Sequence, residues 1–146
     1  MTNIKPYLIL NLFLIVGLVT FIKCDFGSKY IDKDLQQYID IYKEEVEKRN
    51  AVDLSDNLMI LDWEVLPDSI RGLGRKGEIL INEGLKGDSL VVEYVFMHEI
   101  GHALYGLHHS DCRDVAIMCL PAAWIYHKNR KELLDELIKI HDQGSN

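Results

Sequence analysis

His98-Glu99-Ile100-Gly101-His102 is the stretch of this 146-residue chain that constrains its fold most strongly. Residues four apart on a helix lie on one face, one turn apart, so His98 and His102 can bind one cation at about 2.0–2.1 Å. Glu99 points in another direction, which suits holding a water molecule beside the metal rather than binding the metal itself. The motif therefore predicts a metal site on a helix, with Glu99 as general base.

A capped helix is predicted around this motif. Asp88 and Ser89 are good N-cap residues. Gly106 is expected to end the helix soon after Tyr105, because glycine tolerates the left-handed conformation found at helix ends. Apolar residues with helical spacing lie between these signals, at Leu90, Val91, Tyr94, Val95 and Met97.

A third metal ligand is expected just beyond the helix, because catalytic zinc commonly takes three protein ligands and keeps one position for water. His108 and His109 both follow Gly106, where the chain can turn back toward the metal. The spacing alone leaves both histidines open as the third ligand.

The rest of the chain predicts a small α+β domain. Apolar periodicity indicates an N-terminal amphipathic helix over residues 31–46 and a C-terminal helix over 122–141. Strands are expected at 58–66 and 78–82, with a further short strand at 70–73. Gly72, Gly74 and Gly77 are interpreted as turn residues, and residues 107–121 as an irregular loop.

The N-terminus differs from the rest in charge and hydropathy. Residues 1–23 contain Lys5 and Lys23, no acid and an apolar run from 7 to 22, which is typical of a secretory signal. The run is shorter than the roughly 20 residues of a comfortable membrane-spanning helix. We therefore predict an exported protein with a signal at 1–23 and one domain at 24–146, with an uncleaved signal anchor as an alternative.

The remaining chain is acidic. The whole sequence has a formal net charge of −7, and without residues 1–23 the charge is −9. This balance lacks the basic surface of a nucleic-acid-binding protein. About 120 residues can bury one modest core, so a single domain is expected, and we predict a monomer.

The motif region resembles the metzincin zinc metallopeptidases, which combine H-E-x-x-H, a later histidine and a Met-turn. Here Gly106 stands one place later than in the standard pattern. A longer spacing resembles small exported lipoprotein metalloproteases of Bacteroidetes-type bacteria. The stretches Ala116-Ile-Met118 and Asn129-Arg-Lys-Glu-Leu-Leu-Asp-Glu-Leu137 are similar to stretches of those proteins.

This resemblance implies a metzincin-like domain in which His109, more than His108, is the third Zn²⁺ ligand, and Met118 is the Met-turn residue. It implies a zinc endopeptidase that acts on protein or peptide substrates. It also implies that the strand at 78–82 is the edge strand that pairs with substrate. Cys24 resembles a lipid-attachment cysteine, which would place the protein in the bacterial periplasm or at the cell surface, held at the membrane by its lipid.

Other assignments stay open. A carboxylate from Asp111, Glu132 or Glu136 could replace the third histidine, and Tyr126 could act as the tyrosine that some metzincins use in catalysis. The protein could also be a surface-anchored binding lipoprotein that retains the fold with little or no catalysis.

The two downstream cysteines have two interpretations of their own. In an oxidising compartment Cys112 and Cys119 could form a short-loop disulfide. Alternatively, they could be ligands of a purely structural zinc site.

Overall fold

The structure is a computed structural model, and it describes residues 28–119 and 122–143. These residues form a small α+β domain with four α-helices and a mixed four-stranded sheet around one hydrophobic core. No helix in this part of the chain is long and apolar enough to span a membrane. The predicted signal at 1–23 and the proposed lipid-attachment residue Cys24 lie outside the described residues.

The sheet has the order β1-β2-β4-β3. Its strands are β1 (Tyr30–Ile31), β2 (Ile60–Glu64), β3 (Gly72–Arg75) and β4 (Glu78–Asn82). The first three in spatial order are parallel, and β3 runs antiparallel to β4 as the second arm of a hairpin. The predicted edge position of β4 is therefore wrong, because β4 is paired on both sides and β3 is the edge strand.

The N-terminal helix is shorter than its periodicity predicts. Residues 30–31 form β1, and helix α1 (Gln36–Lys48) begins only after a turn. Ile31 fits the helical repeat, but it pairs with Leu61 in the parallel ladder between β1 and β2. The helical repeat continues through the buried residues Leu35, Tyr38, Ile39, Tyr42 and Val46, which pack on the core.

The interpretation of Gly72 and Gly74 as turn residues is also wrong, since both lie within β3. Among these three glycines, only Gly77 lies in the hairpin turn, with φ of +74°. The predicted short strand at 70–73 begins two residues later, at Gly72. Glycine has a different use here, because β3 approaches the helix over Ser89–Ala103 too closely to leave room for a side chain at 72 or 74.

Helix α2 (Ser89–Ala103) passes through the core, as its apolar composition suggests. The Asp88 side chain accepts a hydrogen bond from the amide of Val91, which confirms the predicted N-cap. Gly106 has φ of +67°, and the amide of Leu107 donates to the carbonyl of Gly101 across the helix end.

The C-terminal segment is two helices, not one. Helix α3 (Ala123–Lys128) and helix α4 (Arg130–Gln143) are separated at Asn129. The Asn129 side chain donates to the carbonyl of Ile125, which occupies a backbone acceptor at the end of α3. Between α2 and α3, the predicted irregular stretch contains two 3₁₀ turns, His109–Arg113 and Ala116–Cys119.

Candidate metal centre and cleft

Three imidazoles meet at the C-terminal half of α2. The Nε2 atom of His109 lies 3.1 Å from Nε2 of His98 and 3.2 Å from Nε2 of His102. Ligand atoms of all three residues lie within 4.8 Å of one another, close enough to bind a metal ion. The structure thus brings His109, and not His108, to the pair on the helix.

Backbone carbonyls set the orientation of the two helical histidines. Nδ1 of His98 lies 2.9 Å from the carbonyl oxygen of Ile117, and Nδ1 of His102 lies 2.7 Å from that of Leu107. A carbonyl only accepts, so each Nδ1 carries the proton and donates it. Each Nε2 then keeps its lone pair for the shared centre, the arrangement typical of metal-bound histidine.

The spacing of the nitrogens suits a small transition-metal ion. Tetrahedral geometry with zinc–nitrogen bonds of 2.0–2.1 Å requires nitrogens about 3.3–3.4 Å apart. The two distances from His109, 3.1 and 3.2 Å, are near this value, and the ligand atoms of all three histidines lie within 4.8 Å of one another. Calcium takes oxygen ligands, so it does not fit three imidazole nitrogens. The donor set therefore suits a transition-metal ion that binds imidazole nitrogen, as Zn²⁺ does.

Burial also favours the neutral, metal-binding form of the two helical histidines, His98 and His102. It lowers the pKa of His98 and of His102, although the backbone hydrogen bond that each ring donates acts in the opposite direction. The neighbouring imidazoles lower both pKa values further. Both rings are therefore neutral at pH 7, as metal binding requires.

The turn after α2 explains which histidine faces the helix. The left-handed conformation of Gly106 directs the chain back, so that the Leu107 carbonyl faces His102. His108 then precedes the 3₁₀ turn as its N-cap residue, and its amide donates to the Asp111 carboxylate at 2.6 Å. His109 is the first residue within that turn, and its ring reaches the two helical imidazoles.

Glu99 is buried between α2 and the edge strand. Glu99 is only 6% exposed, yet it lines the same cleft as the three histidines. Burial raises the pKa of Glu99 to about 7, and a hydrogen bond from the backbone amide of Gly74 counteracts part of that shift. The carboxyl group is thus held next to the metal centre by β3.

Met118 lies beneath the metal centre. It is fully buried, and its sulfur is the nearest atom to the position where Gly101 would carry a Cβ. Gly101 stands on α2 between the two histidines, and the residue before Met118 supplies the carbonyl that fixes His98. Met118 therefore packs against the part of α2 that carries the two histidines, and its Met-turn role stays a prediction.

The cleft beside the centre has a volume of about 560 Å³. One wall is α2, which contributes Tyr94, and the other is the chain from Ser69 to Gly74, which includes Arg71. The sequence analysis missed both Tyr94 and Arg71 as cleft residues. Tyr94 stands four residues before His98, and that spacing is the signal that could have identified it.

The alternative carboxylate ligands lie outside the histidine cluster. Asp111 binds the amide of His108, and Glu136 accepts a hydrogen bond from the amide of Ala116 at 2.9 Å. Glu132 is exposed on α4, and none of the three belongs to the histidine cluster.

Tyr126 is also outside the cleft. Its side chain is completely buried, and its hydroxyl donates to the Glu93 carboxylate at 2.9 Å. Burial raises the pKa of Tyr126, and the nearby Glu93 adds to the effect. The alternative catalytic role for this tyrosine is therefore not supported.

Cys119 is disulfide-bonded, so it cannot supply the thiolate that a structural zinc site would need. The alternative in which Cys112 and Cys119 bind zinc is therefore not supported. The side chain of Cys112 lies outside those that the structure describes, and its pairing with Cys119 stays a prediction.

The site thus consists of three histidine nitrogens, a buried carboxyl group and a cleft bounded by a sheet edge. Comparison of the chain with protein-family models, with curated proteins and with solved structures finds no match.

Proposed function

We propose that this protein is a zinc-dependent endopeptidase of metzincin-like type. The observation that carries the proposal is the convergence of His98, His102 and His109 next to the buried carboxyl group of Glu99. A purely structural metal site has no need of a buried carboxyl group that is not a ligand. Three nitrogen ligands also leave a coordination position free, as in catalytic zinc sites.

The histidines, Glu99 and Gly74 have different roles in the proposed peptide hydrolysis. The three histidines would hold zinc, which when bound supplies Lewis acidity that polarises a carbonyl group and makes water more acidic. Glu99 accepts the proton of the attacking water and delivers it to the leaving amine. The Gly74 amide keeps the Glu99 side chain in place during both transfers.

The edge strand offers a binding surface for an extended peptide. β3 is hydrogen-bonded to β4 on one side, and within 28–119 and 122–143 no strand pairs with its other side. Residues of β3 line the cleft, so a peptide that adds to this edge passes the histidine centre. Main-chain hydrogen bonds to a sheet edge supply affinity that is largely independent of sequence.

Glu99→Gln tests the mechanism. The variant should bind one zinc per chain like the wild type, but should cleave an unstructured protein such as casein at least 100-fold more slowly. Glu132→Gln, which changes an exposed glutamate on α4, is the matched control and should cleave normally. Undiminished cleavage by Glu99→Gln contradicts the mechanism. A wild type that binds zinc but cleaves nothing favours the binding-lipoprotein alternative.

We further propose that the protein is exported and anchored through Cys24. The support is the sequence of residues 1–23 and the cysteine that follows it. Labelled fatty acid should be incorporated by cells that express the full chain, and Cys24→Ser should abolish the incorporation. An unlabelled wild-type protein would contradict lipid anchoring.

A further inference from the structure

A second cavity continues the cleft along helix α2, away from the histidines. Its volume is about 500 Å³, and Arg71 lines both cavities. Apolar side chains form much of the second cavity, with Leu90 from the first turn of α2 and Trp124 from α3 on its rim. We call the second cavity the Leu90–Trp124 groove.

The two rim residues are unusually open to solvent. Leu90 is 59% exposed and Trp124 is 67% exposed, although both belong to helices that pack on the core. The ring of His127 fixes the relative position of the two helices, because its Nε2 lies 2.8 Å from the carbonyl oxygen of Leu90. The groove is therefore a preformed apolar surface next to the cleft.

Arg71 adds a charge at the junction of the two cavities. Its side chain is exposed, and within the described part of the chain no ion pair involves its guanidinium group. Other arginines of the fold, such as Arg49 and Arg130, are bound to carboxylates. In a domain with a strongly acidic balance, an arginine without an ion pair at a cleft is suited to bind a carboxylate of a ligand.

The length of α2 between Leu90 and His98 gives the distance from the groove to the histidine centre. Leu90, Tyr94, His98 and His102 recur every four residues, and the eight residues from Leu90 to His98 span about 12 Å. An extended peptide advances about 3.3 Å per residue. A peptide in the cleft therefore reaches the groove roughly three to four residues from the bond at the histidine centre.

We propose that the Leu90–Trp124 groove is a remote substrate subsite. It binds an apolar side chain three or four residues from the scissile bond, and Arg71 binds a substrate carboxylate between the two points. This inference rests on the proposed peptidase function and adds the substrate class, namely extended peptides with an acidic and an apolar residue on the same side of the cleaved bond. The carboxylate comes from an Asp or Glu side chain or from the peptide's own C-terminus.

Peptide-library digestion tests the subsite. With the zinc-loaded wild type, mass spectrometry of the products should show large apolar residues enriched at one position three or four residues from the cut. Trp124→Ala and Leu90→Ala should abolish this enrichment and reduce kcat/KM for the best peptide about 10-fold, mainly through KM. Val65→Ala, which removes a side chain that is 79% exposed and outside both cavities, is the control and should change neither.

Arg71→Met tests the carboxylate. It should lower kcat/KM about 10-fold for acidic peptides and leave their neutral analogues unchanged, while Lys76→Met at the hairpin turn should have no effect. Amidation of the peptide C-terminus separates the two sources, because it removes the Arg71 effect only if the terminal carboxylate is bound.

A binding measurement makes the subsite independent of turnover. In the Glu99→Gln background, addition of the best peptide should shift the emission of the exposed Trp124 to shorter wavelength, and Trp124→Phe should remove the shift. Cleavage without a preference at the remote position, or a preference that survives Trp124→Ala, overturns the subsite but leaves the peptidase. A wild type that cleaves nothing overturns both.

Discussion

Gly74 of the edge strand lies directly against Glu99 of helix α2. A Cβ at position 74 would lie 2.5 Å from the backbone oxygen of Glu99 and 2.9 Å from its carboxylate oxygen. It would also lie 2.9 Å from the Cβ of His102. Gly72, two residues earlier on the same face, is equally close to the Glu99 side chain. Strand β3 and helix α2 are therefore packed so closely at Glu99 that there is no room for a side chain at position 72 or 74.

Replacing Gly74 should damage the fold and the site together. Gly74→Ala must push β3 from α2, because its closest neighbour is backbone that cannot rotate away, and we expect a loss of about 2–3 kcal/mol in the free energy of unfolding. Urea unfolding measures the loss. Gly84→Ala, whose added Cβ would meet only the Asn82 side chain, with Oδ1 at 3.3 Å as the nearest atom, should cost well under half as much. Equal stabilities of the two variants would contradict the close packing.

His108→Ala and His109→Ala should separate sharply in zinc binding. His109 contributes a nitrogen to the cluster, whereas His108 is the N-cap residue of the 3₁₀ turn and is not part of the cluster. Removing His109 leaves two protein ligands, so zinc affinity should fall at least 100-fold, while His108→Ala should change it less than 10-fold. Competition with a chromogenic chelator gives both values. A stronger loss for His108→Ala would reverse the assignment.

Removal of zinc should lower the thermal stability of the domain. A ligand that binds only the folded chain at 1,000 times its Kd adds about 4 kcal/mol, which for a domain of this size raises Tm by roughly 10–20 °C. Differential scanning fluorimetry with and without a chelator measures the difference. His98→Ala should unfold near the Tm of the chelator-treated wild type, both with and without the chelator, and should show no response to zinc.

Met118 should matter through its volume. The side chain is buried under Gly101, so Met118→Ala leaves a cavity below the two helical histidines and should cost about 2–4 kcal/mol. Met118→Leu conserves volume and should cost less than about 1.5 kcal/mol. Chemical denaturation compares the two. Similar losses for both variants would mean that the sulfur, and not the packing, stabilises the site.

Glu45 should make the fold sensitive to acid. Burial raises the pKa of this carboxyl group, but hydrogen bonds from Arg130, Arg49 and Lys48 outweigh that effect and lower the pKa to about 2. Because the folded pKa lies below the ordinary 4.5, the stabilisation is complete above pH 4.5 and is lost as the pH falls toward 2.

Glu45→Gln isolates this contribution. The variant should lose about 2–3 kcal/mol of unfolding free energy at pH 7, and much less near pH 2. Unfolding curves collected from pH 7 to pH 2 test the window. Glu132→Gln, at an exposed position on α4, should follow the wild-type profile. A wild type and Glu45→Gln with parallel profiles would contradict the assigned role of Glu45.

Local sequence signals predicted the elements that carry the site. The cap at Asp88, the end of α2 before Gly106 and the strand at 78–82 depend on neighbouring residues, and the structure confirms them. The same kind of signal failed where a distant partner decided the conformation. Ile31 lies in a strand because it pairs with Leu61 of β2. Gly72 and Gly74 lie in the edge strand, where the close approach of α2 leaves no room for a side chain.

The sequence by itself determined that two imidazoles and a carboxyl group stand on one helix, since a spacing of four residues is a local property of the α-helix. Only the tertiary structure decided that His109 joins them while Asp111 and Glu136 do not. That choice depends on the turn at Gly106 and on packing between segments far apart in the chain. Local periodicity carries no information on either, because such contacts form only when the whole core is assembled.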